Sequence, residues 1–132
     1  MFMEENNSVI YPIIEVNDEK RTISVKFPKM VISTNVDGLK KEFANFVHRE
    51  EWKSIHFENL FLDFGDSRMV DSLGLNFVLE ILRWGNMNKA KISSVVSNGT
   101  VYLVFLNVRL DKQMQINYTG KPIRTHTIPP SM

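Results

Sequence analysis

Cysteine is absent from this chain of 132 residues. That removes a disulfide framework, Cys-ligated zinc and thiol catalysis together, and it suits a reducing compartment. Charge of one sign is missing as well: sixteen Lys and Arg stand against fifteen Asp and Glu, for a formal net charge of +1. Such a balance supplies no field for gathering nucleic acid or an anionic membrane. No apolar run approaches the ~20 residues that a membrane helix needs. The opening Met1-Phe2-Met3-Glu4-Glu5 is acidic where a secretion signal is basic. The expectation is a soluble cytoplasmic protein. Catalytic signatures are missing too: there is no Gly-x-x-x-x-Gly-Lys loop, no Gly-x-Ser-x-Gly elbow and no acid pair at useful spacing. His48, His56 and His126 have no metal-ligand spacing. The chain is therefore expected to be no enzyme and to need neither cofactor nor metal.

What is present suffices for one compact unit, since 43% of the residues are hydrophobic and the length suits a single core. Ile13-Ile14-Glu15-Val16 and the alternating Thr22-Ile23-Ser24-Val25-Lys26-Phe27 flank a polar turn at 17–21 and predict a β-hairpin. Thr34 is placed to cap a helix, with Asp37 answering it from the first turn. Val36, Leu39, Phe43, Phe46 and Val47 then share one face of that helix. Leu60-Phe61-Leu62-Asp63-Phe64 reads as a central strand whose two faces are both mostly shielded, with Asp63 alone breaking the apolar run. A helix from Ser72 to about Trp84 has Leu75, Val78, Leu79 and Leu82 as its inward stripe, and Gly85-Asn86-Met87-Asn88 closes it. Lys91–Val96 is the next strand, and Ser97-Asn98-Gly99-Thr100 a turn and cap. Val101, Val104, Phe105 and Val108 have helical spacing, and Met114-Gln115-Ile116 is a last short strand. This order predicts a mixed sheet of four to five strands with right-handed crossovers and helices mainly on one side. Residues 1–12 are expected to be a loose extension, 13–118 the domain, and 119–132, with Ile128-Pro129-Pro130, a flexible tail.

The informative stretch is the strand-to-helix junction Val70-Asp71-Ser72-Leu73-Gly74-Leu75-Asn76. It puts the Ser72 hydroxyl where a helix N-terminus can receive an anion, on the rim expected to be shared with the Ser97–Thr100 turn. By itself Ser72 is a good N-cap. Asp71 is equally able to cap this helix or to position a reacting hydroxyl. Asp63 is expected to bond to a loop, and Gly74 to permit a close approach in the first turn. Leu73, Phe77 and Trp84 form a second apolar row, either core or the start of a partner surface.

Leu62-Asp63-Phe64, six further residues, and Asp71-Ser72-Leu73-Gly74-Leu75 together resemble the signature of the STAS domain, the family of bacterial anti-sigma factor antagonists. Val95-Val96-Ser97-Asn98 and the later Leu110-Asp111-Lys112 are similar to the family's closing strand, helix and ending, so the likeness runs from about Ile13 to Ile116. The resemblance implies an α/β, STAS-like fold and a regulatory role. The unmodified domain would bind an anti-sigma factor or serine kinase of the histidine-kinase-like ATPase type. Phosphorylation at Ser72 would release it, and a PP2C-like phosphatase would restore it. Asp71, Leu73, Gly74, Asn76 and Phe77 would form the contact surface. The reading includes no direct nucleic acid and no membrane, and admits a homodimer. Leu73 is bulkier than the family's usual residue, Asn76 and Arg109 stand where it often has Gly, and its last amphipathic helix has no counterpart. Two other functions follow from other premises: an unphosphorylated STAS scaffold or adaptor on a transporter ATPase or signalling complex, and a small-ligand or nucleotide-binding domain on the same rim.

Overall fold

A computed structural model describes residues 9–49, 52–54 and 56–123. Of the segments expected to be loose, 1–12 and 119–132, the parts 1–8 and 124–132, and with them His126, lie outside the described residues. Among those described, strands β1 (Ile13–Asn17) and β2 (Thr22–Lys26) form the expected antiparallel hairpin, with Val16 opposite Ile23. The chain then runs through β3 (Met30–Val31), α1 (Val36–Val47), β4 (Asn59–Phe64), β5 (Met69–Val70), α2 (Ser72–Met87), β6 (Lys91–Val96), α3 (Gly99–Asn107) and β7 (Gln115–Tyr118). The main sheet has the order β1-β2-β4-β6-β7, parallel throughout except for the opening hairpin. The mixed α/β sheet expected of a STAS-like fold is thus the one observed. A second, two-stranded sheet pairs β3 with β5 in parallel, Met30 facing Met69 and Val31 facing Val70.

Alternation decides which side of the sheet is covered. Ile23 and Val25 on β2, Leu60, Leu62 and Phe64 on β4, and Ile92 and Val96 on β6 are buried together on one face. Helices α1, α2 and α3 contribute to the same core. Phe77 of α2 meets Phe27 edge-on at 6.2 Å, and Phe105 of α3 meets Phe64 at 4.9 Å. Each such ring contributes about 2–3 kcal/mol by leaving water. The opposite face is only half closed, and Ile13, Glu15, Ser24, Lys26, Phe61 and Asp63 line a shallow groove on it. The expectation that both faces of β4 are mostly shielded holds fully for one face only: Leu60, Leu62 and Phe64 are fully covered, while Phe61 and Asp63 are half-buried.

The helices adjust other expectations. Helix α1 buries Val36, Leu39, Phe43 and Phe46 as its pattern predicts, but its cap position is Asn35, not Thr34. Asn35 Oδ1 accepts from the Ile32 amide, and its Nδ2 donates to the Met30 carbonyl, so the side chain ties the preceding turn together. Helix α2 is rotated from the expected stripe: Phe77, Val78, Ile81 and Leu82 are buried, whereas Leu75 and Leu79 are half-buried. The rotation is set by α1, because Phe43 packs edge-on against Trp84 at 5.3 Å, and Trp52 and Phe57 reach the same indole at 5.2 and 5.3 Å. Gly85 lies inside α2, where a Cβ would come within 2.7 Å of Leu60 Cδ2. The left-handed residue after the helix is Lys89, with φ 60°. Helix α3 forms despite its β-branched residues, and Val108, expected on its inner face, is exposed. Arg109 then takes φ 64°, the left-handed turn for which the resemblance would supply Gly, and Leu110 follows it into the core.

Candidate functional site

The loop between β4 and β5 is built by local hydrogen bonds. The Gly65 amide donates to Asp63 Oδ1 at 2.8 Å, the loop-anchoring role expected for that carboxylate. Ser67 is fully buried, and its hydroxyl donates to the Pro28 carbonyl at 2.7 Å. The Arg68 amide donates to the Lys29 carbonyl at 2.7 Å, which starts the pairing of β5 with β3. This pairing delivers the chain to the start of α2.

There the cap is Asp71 and not Ser72. Asp71 is extended, with φ −92° and ψ −174°, and its Oδ1 accepts from the Gly74 amide at 2.8 Å. Its Oδ2 accepts from the Ser33 amide at 2.8 Å, across 38 positions of sequence. The Gly74 amide first, and the Ser33 amide second, hold the carboxyl below its ordinary range, because both favour the ionised form. Ser33 was not expected from the sequence. Both carboxylate oxygens are thus engaged within the chain, which favours the capping role over positioning of a reacting group.

Freed from capping, Ser72 is the first residue of α2, exposed, with no hydrogen bond from its hydroxyl among the described residues. Leu73 beside it is 48% exposed, and Asn76 and Glu80 continue the solvent stripe along the helix. Gly74 and Phe77, expected in the contact surface, are buried, Phe77 to 1% exposure. Phe77 is core, and Gly74 acts by its smallness. A Cβ on it would lie 1.8 Å from the Val31 carbonyl oxygen, so the glycine lets α2 start directly against β3. Trp84 belongs to the aromatic cluster, which leaves Leu73 as the exposed member of the supposed apolar row.

Apolar surface comes instead from two methionines that sequence reasoning missed. Met30 and Met69 face one another in the small sheet and are 37% and 49% exposed, while their neighbours Val31 and Val70 point inward. Their signal in the sequence is a doubled triplet, Lys29-Met30-Val31 and Arg68-Met69-Val70. Ser72 thus leaves a strand end carrying two exposed methionines and is followed by an exposed leucine. The turn at Ser97 to Thr100 sits at the ends of β4 and β6, with the Ser97 hydroxyl bonded to the Gly65 carbonyl.

No group of His, Asp or Glu that could hold a metal occurs among the described residues, and no helix there is long and apolar enough to cross a membrane.

No family model and no curated protein matches the chain. Solved structures do. The NMR structure of the Thermotoga maritima protein TM1081 is similar with a TM-score of 0.61 and 22% identity, over 85% of this chain and 83% of that one. A crystal structure of the Thermotoga protein, described as a candidate anti-sigma factor antagonist, is similar with a TM-score of 0.57 and 20% identity. That likeness covers 81% of this chain and 85% of the other. The two chains share a fold.

Proposed function

We propose that this chain is a non-catalytic STAS-type domain of the anti-sigma factor antagonist kind, spanning about residues 13–118. It binds an anti-sigma factor or serine kinase at the start of α2, and phosphorylation of Ser72 switches that binding off. The observation that carries this reading is the state of Ser72: an exposed hydroxyl, without a hydrogen bond among the described residues, on the first residue of a helix whose cap is supplied by its neighbour. Modification there costs the fold no bond. A phosphoryl group adds roughly two negative charges, which the free amides and dipole of a helix N-terminus accept.

The same charge is costly to a partner. One packed on Leu73, Met69 and Met30 and bonded to Asn76 would have to strip water from a dianion beside apolar side chains. Losing ~3 kcal/mol weakens a complex about a hundredfold. The kinase is the histidine-kinase-like ATPase type and the opposing phosphatase PP2C-like, as the resemblance implies, in a cytoplasmic setting.

Phosphate mapping after incubation with the cognate kinase and ATP tests the site: Ser72 is expected to carry the label, and unchanged labelling of Ser72→Ala would exclude it. In a pulldown, Ser72→Ala is expected to retain the partner and Ser72→Asp to lose it. Equal retention by both would leave a constitutive adaptor.

A further inference from the structure

A hollow of about 560 Å³ opens at the C-terminal ends of β4 and β6, lined by residues 65–68, Lys29, Ser97, Asn98 and Lys121. Ser72 is not in its lining. Ligands of open α/β sheets collect at this end of the strands. Three cations come to it from three separate segments: Lys29 from the loop after β2, Arg68 from the loop after β4, and Lys121 from the segment after β7. None of the three makes an ion pair among the described residues, where the ion pairs are Lys26 with Asp66 and Lys40 with Glu80. Asp66 is the one carboxylate in the lining, and Lys26 holds it at 3.4 Å. Among the described residues the hollow therefore has an excess of positive charge, although the chain as a whole is nearly balanced.

The walls are fixed. The Arg68 amide bonds to the Lys29 carbonyl, placing these two residues side by side ahead of the paired methionines. Ser67 locks the same loop to Pro28 from beneath, and the Ser97 hydroxyl joins the third loop to Gly65. The Lys121 segment is seated by Gly120, where a Cβ would come 2.0 Å from the Ser97 carbonyl oxygen. Like charges carried on hydrogen-bonded loops to one open recess repel, and a multiply charged anion relieves that repulsion while gaining charge-assisted hydrogen bonds. Arg68 adds a planar fork matched to phosphate oxygens. The recess is the size of sites that take small metabolites.

We propose that this hollow is a binding site for a phosphate group, carried by Lys29, Arg68 and Lys121 and separate from Ser72. The phosphate is either the free anion or the monoester of a small molecule. The inference does not depend on the phosphorylation switch, since the isolated chain binds with no kinase present.

The test is an NMR titration of the full-length, isotope-labelled chain with inorganic phosphate, pyrophosphate, adenosine 5′-monophosphate and, as an uncharged control, adenosine. Saturable shifts at the amides of 65–68, 97–99 and 120–121 are expected with the phosphate-bearing probes and none with adenosine, with Kd near or below about 1 mM. Preference for the nucleotide would identify a monoester as the source, and equal binding the free anion. Arg68→Gln and Lys29→Gln, both at exposed positions, are each expected to weaken binding about tenfold or more. Lys20→Gln, on the hairpin turn at the other end of β2, is expected to leave it unchanged, and so is Ser72→Ala. Failure of phosphate, pyrophosphate and nucleotide all to saturate, binding of adenosine equal to that of its monophosphate, or equal losses in Lys20→Gln would each overturn the site.

Discussion

Helices α2 and α3 begin with the same local device, and the chain surrounds their two N-termini differently. Asp71 and Asn98 are both extended caps, and each accepts from the amide three residues on, Gly74 and Val101, at 2.8 and 3.0 Å. The first helical residue is Ser72 in one case and Gly99 in the other. The third is a glycine pressed on Val31 in α2 and a buried valine in α3. Around Ser72 stand exposed apolar side chains, and around Asn98 stand cations with no ion pair among the described residues. A helix N-terminus attracts anions wherever it occurs. What such an end is used for depends on neighbours brought from elsewhere in the chain, and the two proposals differ accordingly: a covalently attached phosphate at the start of α2 and a diffusible one beside the start of α3.

The largest test of this contrast exchanges the glycines. Gly74→Ala must push the Val31 carbonyl away, and a loss of more than about 3 kcal/mol in urea unfolding is expected. At Gly99 a Cβ would first meet the end of a side chain, the Tyr118 hydroxyl, at 3.3 Å and not backbone at 1.8 Å, so Gly99→Ala should fall within about 1 kcal/mol of the parent. Equal, small losses would show that α2 is free to back away from β3, contrary to the tight junction described.

The caps come next and separate by pH. Asn98→Ala should cost about 1 kcal/mol at every pH. Asp71→Ala should lower Tm at neutral pH, but its deficit should shrink in acid. The folded carboxyl titrates below its ordinary value because of Gly74 and Ser33. Its contribution is therefore complete above about pH 4 and is lost as pH falls through the lower folded value. A flat deficit across that window in thermal melts would remove the ionised cap. Smallest is Ser72→Asp, a surface change at a position that favours negative charge, expected within about 0.5 kcal/mol in the same unfolding assay. A large loss would mean that Ser72 supports the fold and that its modification acts by unfolding.

Strong periodicity made much of this legible. The alternation from Thr22 to Phe27 and the stripe of α1 each had one physical solution, and the run from Leu60 to Phe64 marked a strand but not how far each face is covered; the order of the strands came only with the structure. The junction was legible to within one residue. Asp71 and Ser72 both cap well, and only the distant Ser33 amide selects Asp71. Thr34 and Asn35 pose the same ambiguity, settled by the bond to Ile32. Helix α2 is apolar around nearly half its circumference, so the stripe read from its period was turned from the buried one, which Phe43 and Trp52 fix by closing on Trp84. The β3–β5 sheet is two residues long, too short to show a period, and the exposed methionines stayed hidden with it. The hollow was illegible for another reason: its cations come from segments that only the fold brings together.

The bond from the Ser33 amide to Asp71 also dates the surface it supports. Contacts closing so long a stretch of chain form after local hairpins and helical turns, because the loop-closure entropy must be met first. An isolated α2 can cap itself through Gly74, yet it cannot acquire the second clasp or the paired methionines until residues 30–33 have arrived. The surface proposed for a partner thus forms only with the long-range closure that also pairs β2 with β4, and a chain that has not yet joined these segments does not display it.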